Sequence, residues 1–223
     1  MSRAILLSIL TDALLTRRRG GQVLRVAIDG PLASGKTSLT EELAAAMACE
    51  APVIRAGLDG FHRPRAERYA RGRASALGYY EDARDYRAIR RELLDPLGPG
   101  GSCRYRTTVF DLAADMPLDA PPAVAARDAV LIVEGTFLQR QEFDGAWDVV
   151  VFLDVDPDTS LARGMARDAV ALGGSEPALA LYSQRYMPAW KLYVESREPC
   201  ARADIVIDHH DFSRPVMVRG ASS

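Results

Sequence analysis

Eight consecutive residues, Gly30-Pro31-Leu32-Ala33-Ser34-Gly35-Lys36-Thr37, fit the pattern G-x-x-x-x-G-K-[ST], whose chemistry is the cradling of phosphate. Glycines let the backbone close around phosphate oxygens, and N–H groups at the start of a following helix meet their negative charge. Lys36 can reach β- and γ-phosphates as a mobile point charge, and the Thr37 hydroxyl can coordinate a magnesium ion. Gly30, Pro31, Leu32, Ala33, Ser34, Gly35, Lys36, Thr37 and Ser38 therefore form the expected nucleotide-binding stretch. The lysine is informative, because the 28 cationic residues include only two lysines, Lys36 and Lys191, against 26 arginines. A guanidinium does not replace a mobile ammonium here.

Two carboxylates follow apolar runs. Val130 to Val133 ends in Glu134, and a buried strand has little reason to finish in a carboxylate unless something cationic lies beyond it. Glu134 can hold a magnesium-bound water. Asp59, in Leu58-Asp59-Gly60-Phe61-His62, stands after another short apolar run and can accept a proton from an attacking hydroxyl. Asp-Gly is also a common turn dipeptide.

These residues need a scaffold that aims them at one place. Val23 to Ile28 has the pattern of a buried parallel strand, and Ser38 to Met47 has high helix propensity with Leu39, Leu43 and Met47 on one face. Further strands are expected at Pro52–Ala56, Ala129–Val133, Asp148–Leu153 and Asp204–Ile207, and helices at Ala83–Leu94, Ser160–Leu172 and Glu176–Val194. The alternation predicts an α/β fold, a parallel sheet covered by helices on both faces that binds ligands at the carboxyl ends of its strands. Ala4 to Leu15, followed by Arg17-Arg18-Arg19 and Gly20-Gly21, reads as an amphipathic helix and not a signal sequence. Gly220 to Ser223 read as a frayed tail.

Composition narrows the partners. The chain has 223 residues, 48% hydrophobic and 26% charged, which suits a folded core and excludes low-complexity classes. A net charge of -2 argues against a surface built for nucleic acid or anionic lipid, so any anion is bound locally. No apolar stretch reaches membrane-spanning length. Cys49, Cys103 and Cys200 form no metal pattern and fit a reduced, cytoplasmic protein. Adjacent His209 and His210 point to opposite faces of an extended chain, which places them in a loop beside the nucleotide instead of on a shared metal. Met187-Pro188-Ala189-Trp190 reads as a kink or packing element, and five arginines between Arg63 and Arg73 either form a solvated surface or face a phosphate-bearing ligand.

The set I-D-G-P-L-A-S-G-K-T, D-G-F-H, V-E-G, L-A-R-G-M-A-R-D and A-D-I-V-I-D, in this order, resembles the uridine kinase, phosphoribulokinase and pantothenate kinase family of P-loop kinases over about Val23 to Asp211. The resemblance implies a P-loop NTPase three-layer sandwich with a central parallel sheet and a small helical lid around 160–176. Residues 1–22 would form a helix packed on a single kinase domain at 23–223. It implies ATP-dependent, magnesium-assisted phosphorylation of a hydroxyl on a small metabolite, with a nucleoside as the first expected acceptor. Asp59 would be the base, Thr37 and Glu134 would hold the metal, and Arg163 and Arg167 on the lid helix would stabilise the transferring phosphoryl beside Lys36. Tyr79, Asp82, Asp85, Phe110 and Asp111 are the acceptor-binding residues it suggests. Asp115 stands where uridine kinases carry a base-reading histidine, Tyr79 stands at their ribose position, and Leu172-Gly173-Gly174 replaces their R-G-R. Alternatives are a pantothenate, sugar or nucleoside monophosphate kinase, or a nucleotide-binding regulator. A GTPase is disfavoured by the absence of N-K-x-D. A homo-oligomer stays open.

Overall fold

Strand β1, Leu24–Asp29, is buried along its whole length, which the run of apolar and β-branched residues requires of a strand covered on both faces. A computed structural model describes residues 2–220; the expected frayed tail, apart from Gly220, lies outside the described residues. Five more strands join β1: β2 (Val53–Gly57), β3 (Val130–Gly135), β4 (Val149–Asp154), β5 (Ile205–Asp208) and β6 (Val216–Arg219). Their order is β6-β5-β4-β1-β3-β2, so the chain leaves β1 toward one edge and returns on its other side. That reversal places the loop after β1 at the crevice where such sheets bind ligands.

All pairings are parallel except β6 with β5, which is antiparallel. A wholly parallel sheet was the expectation. The antiparallel edge escaped it because β6 is only four residues long and its short apolar run, Val216-Met217-Val218, is mostly exposed at the sheet edge.

Helices cover both faces, giving three layers. On one face α1 (Arg3–Leu15) buries Leu6, Leu10 and Leu14, and α2 (Lys36–Met47) buries Leu39, Leu43 and Met47, against Val26 and Ile28 of β1. Arg17 closes the end of α1 by donating to the Ala13 carbonyl at 2.7 Å. On the other face Phe61, Tyr86, Ile89 and Leu93 pack with Ala27 and Leu131.

The expected helix over 83–94 is divided. Helix α3 is Ala76–Glu81, α4 begins at Tyr86, runs to Ile89 and continues as a π-helical turn over Arg90–Leu94. The Asp85 carboxylate sets the new start by accepting from Ala88 N at 2.9 Å. The segment expected as a lid contains α5 (Pro157–Asp168) and leads into α6 (Ser175–Leu181). Gly164 lets α5 meet the turn that follows α6: a Cβ there would stand 2.3 Å from the Tyr182 hydroxyl. The expected helix over 176–194 is also interrupted, by a π-helical turn at Tyr182–Tyr186 before α7 (Met187–Arg197). Pro188 brings no N–H to that junction, and Trp190 stacks near Phe137 and Phe152.

Candidate active site

Register brings the chemistry together. Ile28 of β1 and Gly57 of β2 both pair with Glu134 of β3, so three carboxyl ends lie side by side. The loop after β1, the 3₁₀ turn Leu58–Phe61 after β2 and the end of β3 open on one crevice of about 790 Å³, whose lining includes Lys36, Thr37, Asp59, Glu134, Arg163 and Arg167.

The loop is anchored from below. Asp29 is completely buried; it accepts from Gly30 N at 2.8 Å, from the Gln139 amide at 3.1 Å and from the Tyr193 hydroxyl. Burial pushes its carboxyl up despite these donors. Gly30, at φ +155°, allows close approach to β4, since a Cβ would stand 2.8 Å from the Leu153 carbonyl oxygen. Gly35, at φ +94°, begins α2 in the left-handed region and leaves room for the His209 ring, which a Cβ would meet at 2.7 Å. The His209 Nδ1–H donates to the Ser34 carbonyl at 2.6 Å, and its Nε2 accepts from Arg3 at 3.0 Å. Burial pushes this imidazole down, in keeping with a neutral ring that bonds through both nitrogens.

Lys36 Nζ donates to the Gly30 carbonyl at 3.1 Å, the Pro31 carbonyl at 2.6 Å and Ser34 Oγ at 3.4 Å. Burial lowers its ammonium to about 8, against the opposing pull of Glu134 and Asp29. Thr37 Oγ1 donates to Glu134 Oε1 at 3.0 Å. A hydroxyl and a carboxylate this close form a hard oxygen pair of the kind magnesium takes alongside phosphate and water. Asp59 stands opposite, 77% exposed, with Oδ1 3.0 Å from Arg84 Nη2. Partial desolvation raises this carboxyl, but Arg84, then His62 and Lys36, outweigh it and hold it below the usual carboxylate range.

A family model described as Phosphoribulokinase / Uridine kinase family matches residues 25–212. The chain belongs to the phosphoribulokinase/uridine kinase family. It is 27% identical to Uridine-cytidine kinase B of Dictyostelium discoideum over 183 residues, 82% of this chain and 73% of that one. A Bacillus stearothermophilus structure described as a possible uridine kinase superposes with a TM-score of 0.70 at 25% identity, covering 90% of this chain and 96% of the other. Phosphoribulokinase from Rhodobacter spheroides, at 15% identity and a TM-score of 0.57 over 85% of this chain and 71% of its own, shares the fold. The protein is a P-loop kinase, a phosphotransferase with a hydroxyl acceptor.

Within this kinase the two arginines of α5 are held differently. Arg163 donates to the carbonyls of His209 at 3.0 Å and His210 at 2.7 Å, tying α5 to the loop after β5. Arg167 forms a two-point pair with Asp168 at 2.7 and 3.0 Å, and the Tyr182 hydroxyl donates to the same Asp168 at 2.6 Å. Both arginines line the crevice.

The expected acceptor residues divide. Tyr79 lines the crevice, whereas Asp82, Asp85, Phe110 and Asp111 are not among its lining side chains. Asp82 is paired with Arg71 at 2.7 Å. Asp85 caps α4, and Asp111 closes a turn by accepting from Ala113 and Ala114 N, each at 2.9 Å. Phe110 is buried in a two-residue strand. Asp115 bonds Arg68 at 2.7 Å. Short polar side chains next to turns served the local backbone, which motif spacing does not reveal.

Arg84 and His62 were missed, although His62 closes the D-G-F-H motif and Arg84 stands at the start of the helix expected over Ala83–Leu94. His62 Nδ1–H donates to the Asp59 carbonyl at 2.9 Å, and an isolated bridge joins His62 to Arg84. Arg3 had no signal at all, being 206 residues from its partner His209. Among the described residues no group of three metal-ligating side chains is found, and no helix is long and apolar enough to cross a membrane.

The lowered Lys36 ammonium has a calorimetric consequence. Part of the free enzyme is unprotonated there at pH 8, and a bound triphosphate favours the charged form, so ATP binding is expected to take up protons at pH 8 and not at pH 6.5. Titrations in buffers of different ionisation enthalpy measure this uptake; a buffer-independent heat at pH 8 contradicts it.

Proposed function

We propose that this kinase transfers the γ-phosphoryl group of ATP to a hydroxyl of a small sugar-like metabolite, with Asp59 as the base or orienting group. The observation that carries the reading is the placement of Asp59 across one crevice from Lys36 and the Thr37–Glu134 pair. Held in an ionised state by Arg84, Asp59 is suited to accept the hydroxyl's hydrogen bond and align its oxygen for in-line attack. Lys36, and Arg163 and Arg167 when the lid closes, supply the fixed positive charge that such a transition state needs. Thr37 and Glu134 would hold magnesium, which supplies charge neutralisation on the phosphate oxygens. A nucleoside acceptor is supported by likeness to Uridine-cytidine kinase B, and free Cys49, Cys103 and Cys200 suit a reducing cytoplasm.

The test is ADP release from ATP and Mg²⁺ with a panel of nucleosides, simple sugars, sugar acids and sugar phosphates. At least one acceptor is expected to raise ADP release well above the solvent background with stoichiometric phosphorylated product. Background hydrolysis alone across all classes, or stimulation only by another protein, contradicts the reading.

A further inference from the structure

Helix α1 lies ahead of residues 25–212, the stretch matched to the family, yet its first residue reaches the back of the phosphate loop. Arg3 is mostly buried and ties three segments together. Its Nε donates to both carboxylate oxygens of Glu42 on α2, at 3.0 and 2.8 Å. Its Nη1 donates to His209 Nε2 and to the Phe212 carbonyl, each at 3.0 Å, in the loop after β5. The guanidinium also lies over the Phe212 ring, 4.1 Å from its centroid.

The partners of His209 decide its state. An arginine can only donate and a carbonyl can only accept, so Nε2 presents its lone pair to Arg3 and Nδ1 carries the proton given to the Ser34 carbonyl. His209 is completely buried. Without Arg3, Nε2 would be an unmatched buried acceptor, and the ring would gain by moving its proton to that nitrogen or by turning out of its seat. Either change releases the Ser34 carbonyl.

That carbonyl bears on phosphate binding because a peptide unit is planar and trans, which points the Gly35 N–H opposite to the Ser34 C=O. Ser34 and Gly35 line the crevice and His209 does not, so fixing the carbonyl on His209 turns the Gly35 N–H toward the crevice. An N–H already aligned for a phosphate oxygen needs no reordering when the nucleotide arrives.

We propose that Arg3 is a positioning residue for nucleotide binding, acting through His209 to aim the phosphate loop at the triphosphate. The inference rests on the nucleotide half of the kinase reading and is independent of the acceptor.

The test measures by calorimetry the affinity for a non-hydrolysable ATP analogue and for inorganic tripolyphosphate, each with Mg²⁺. Arg3→Gln is expected to weaken both at least fivefold, and to raise the KM for ATP by a similar factor while kcat falls less than threefold. If Arg3→Gln does not fold, Arg3→Lys, which keeps the charge and loses the fork, takes its place with the same expectation. Arg18→Gln separates this role from a loosening of α1, since Arg18 ties the other end of that helix to the Glu50 and Asp128 carbonyls. It is expected to leave both affinities within twofold of the parent. In a His209→Asn background, Arg3→Gln is expected to add less than a further twofold loss. Affinities indifferent to Arg3, a loss confined to the ATP analogue, an equal loss in Arg18→Gln, or a full additional loss beside His209→Asn overturns the proposal and leaves the kinase reading standing. A parent enzyme that binds neither ligand defeats the kinase reading and this proposal with it.

Discussion

Lys36→Ala is expected to lower kcat by about 10³-fold or more while the protein stays folded. The ammonium lies inside the loop on the Gly30 and Pro31 carbonyls, and Lys191, the other lysine, is on the surface in an i,i+4 pair with Glu195. Nothing else in the chain can supply a mobile point charge at that position. Lys36→Arg should rescue little, since the loop surrounds a compact head and a planar fork is larger and differently directed. Stability should change by no more than about 1–2 kcal/mol, because the loss of hydrogen bonds from a desolvated ammonium is offset by relief of its burial and by the helix propensity of alanine in the first turn of α2. ADP-release kinetics with a thermal melt of each variant measure both effects. A kcat within tenfold of the parent would remove Lys36 from the transition state.

The companion expectation is a loss of about 10²- to 10⁴-fold in kcat for Asp59→Asn, with the KM for ATP nearly unchanged. The amide keeps the shape and can still accept from Arg84, so the substitution isolates the negative charge and the proton-accepting ability. The pH profile gives a second check with a definite sign. Arg84 holds the Asp59 carboxyl below its ordinary value of about 3.9, so Asp59 remains ionised at every pH above about 5 and imposes no acid limb on kcat/KM between pH 5 and 7. Neutralising its guanidinium partner should let that carboxyl move up, so Arg84→Gln is expected to show an acid limb at higher pH than the parent. Near-normal turnover in Asp59→Asn would leave the carboxylate without a role in the reaction.

Much of the scaffold was legible in the chain. Five strands were placed within a residue or two, because strands covered on both faces need unbroken apolar runs and these have few other uses. The phosphate loop was equally plain, since its glycines, lysine and threonine are demanded by conformation and charge within eight contiguous residues. Breaks in helices were harder to see. The two π-helical turns, at Arg90–Leu94 and Tyr182–Tyr186, lie inside segments through which intrinsic propensity runs straight.

The sequence by itself determined that Gly30 to Thr37 form a phosphate-loop pattern, that the sheet is largely parallel, that Glu134 lies at the end of one strand and that Asp59 follows another. Each of those statements depends on residues close together along the chain. Only the tertiary structure decided which distant side chains share the crevice. Register set Glu134 against Thr37 and aimed Asp59 at the same opening, while Asp82, Asp85 and Asp111 were taken up by an arginine, a helix start and a turn. It also drew Arg3 to His209 and packed Arg68, Arg84 and Arg185 around Tyr69 and Tyr79. The physical reason is that an arginine's partner is chosen by burial and reach in three dimensions, and with 26 arginines in the chain no spacing rule says which will be desolvated.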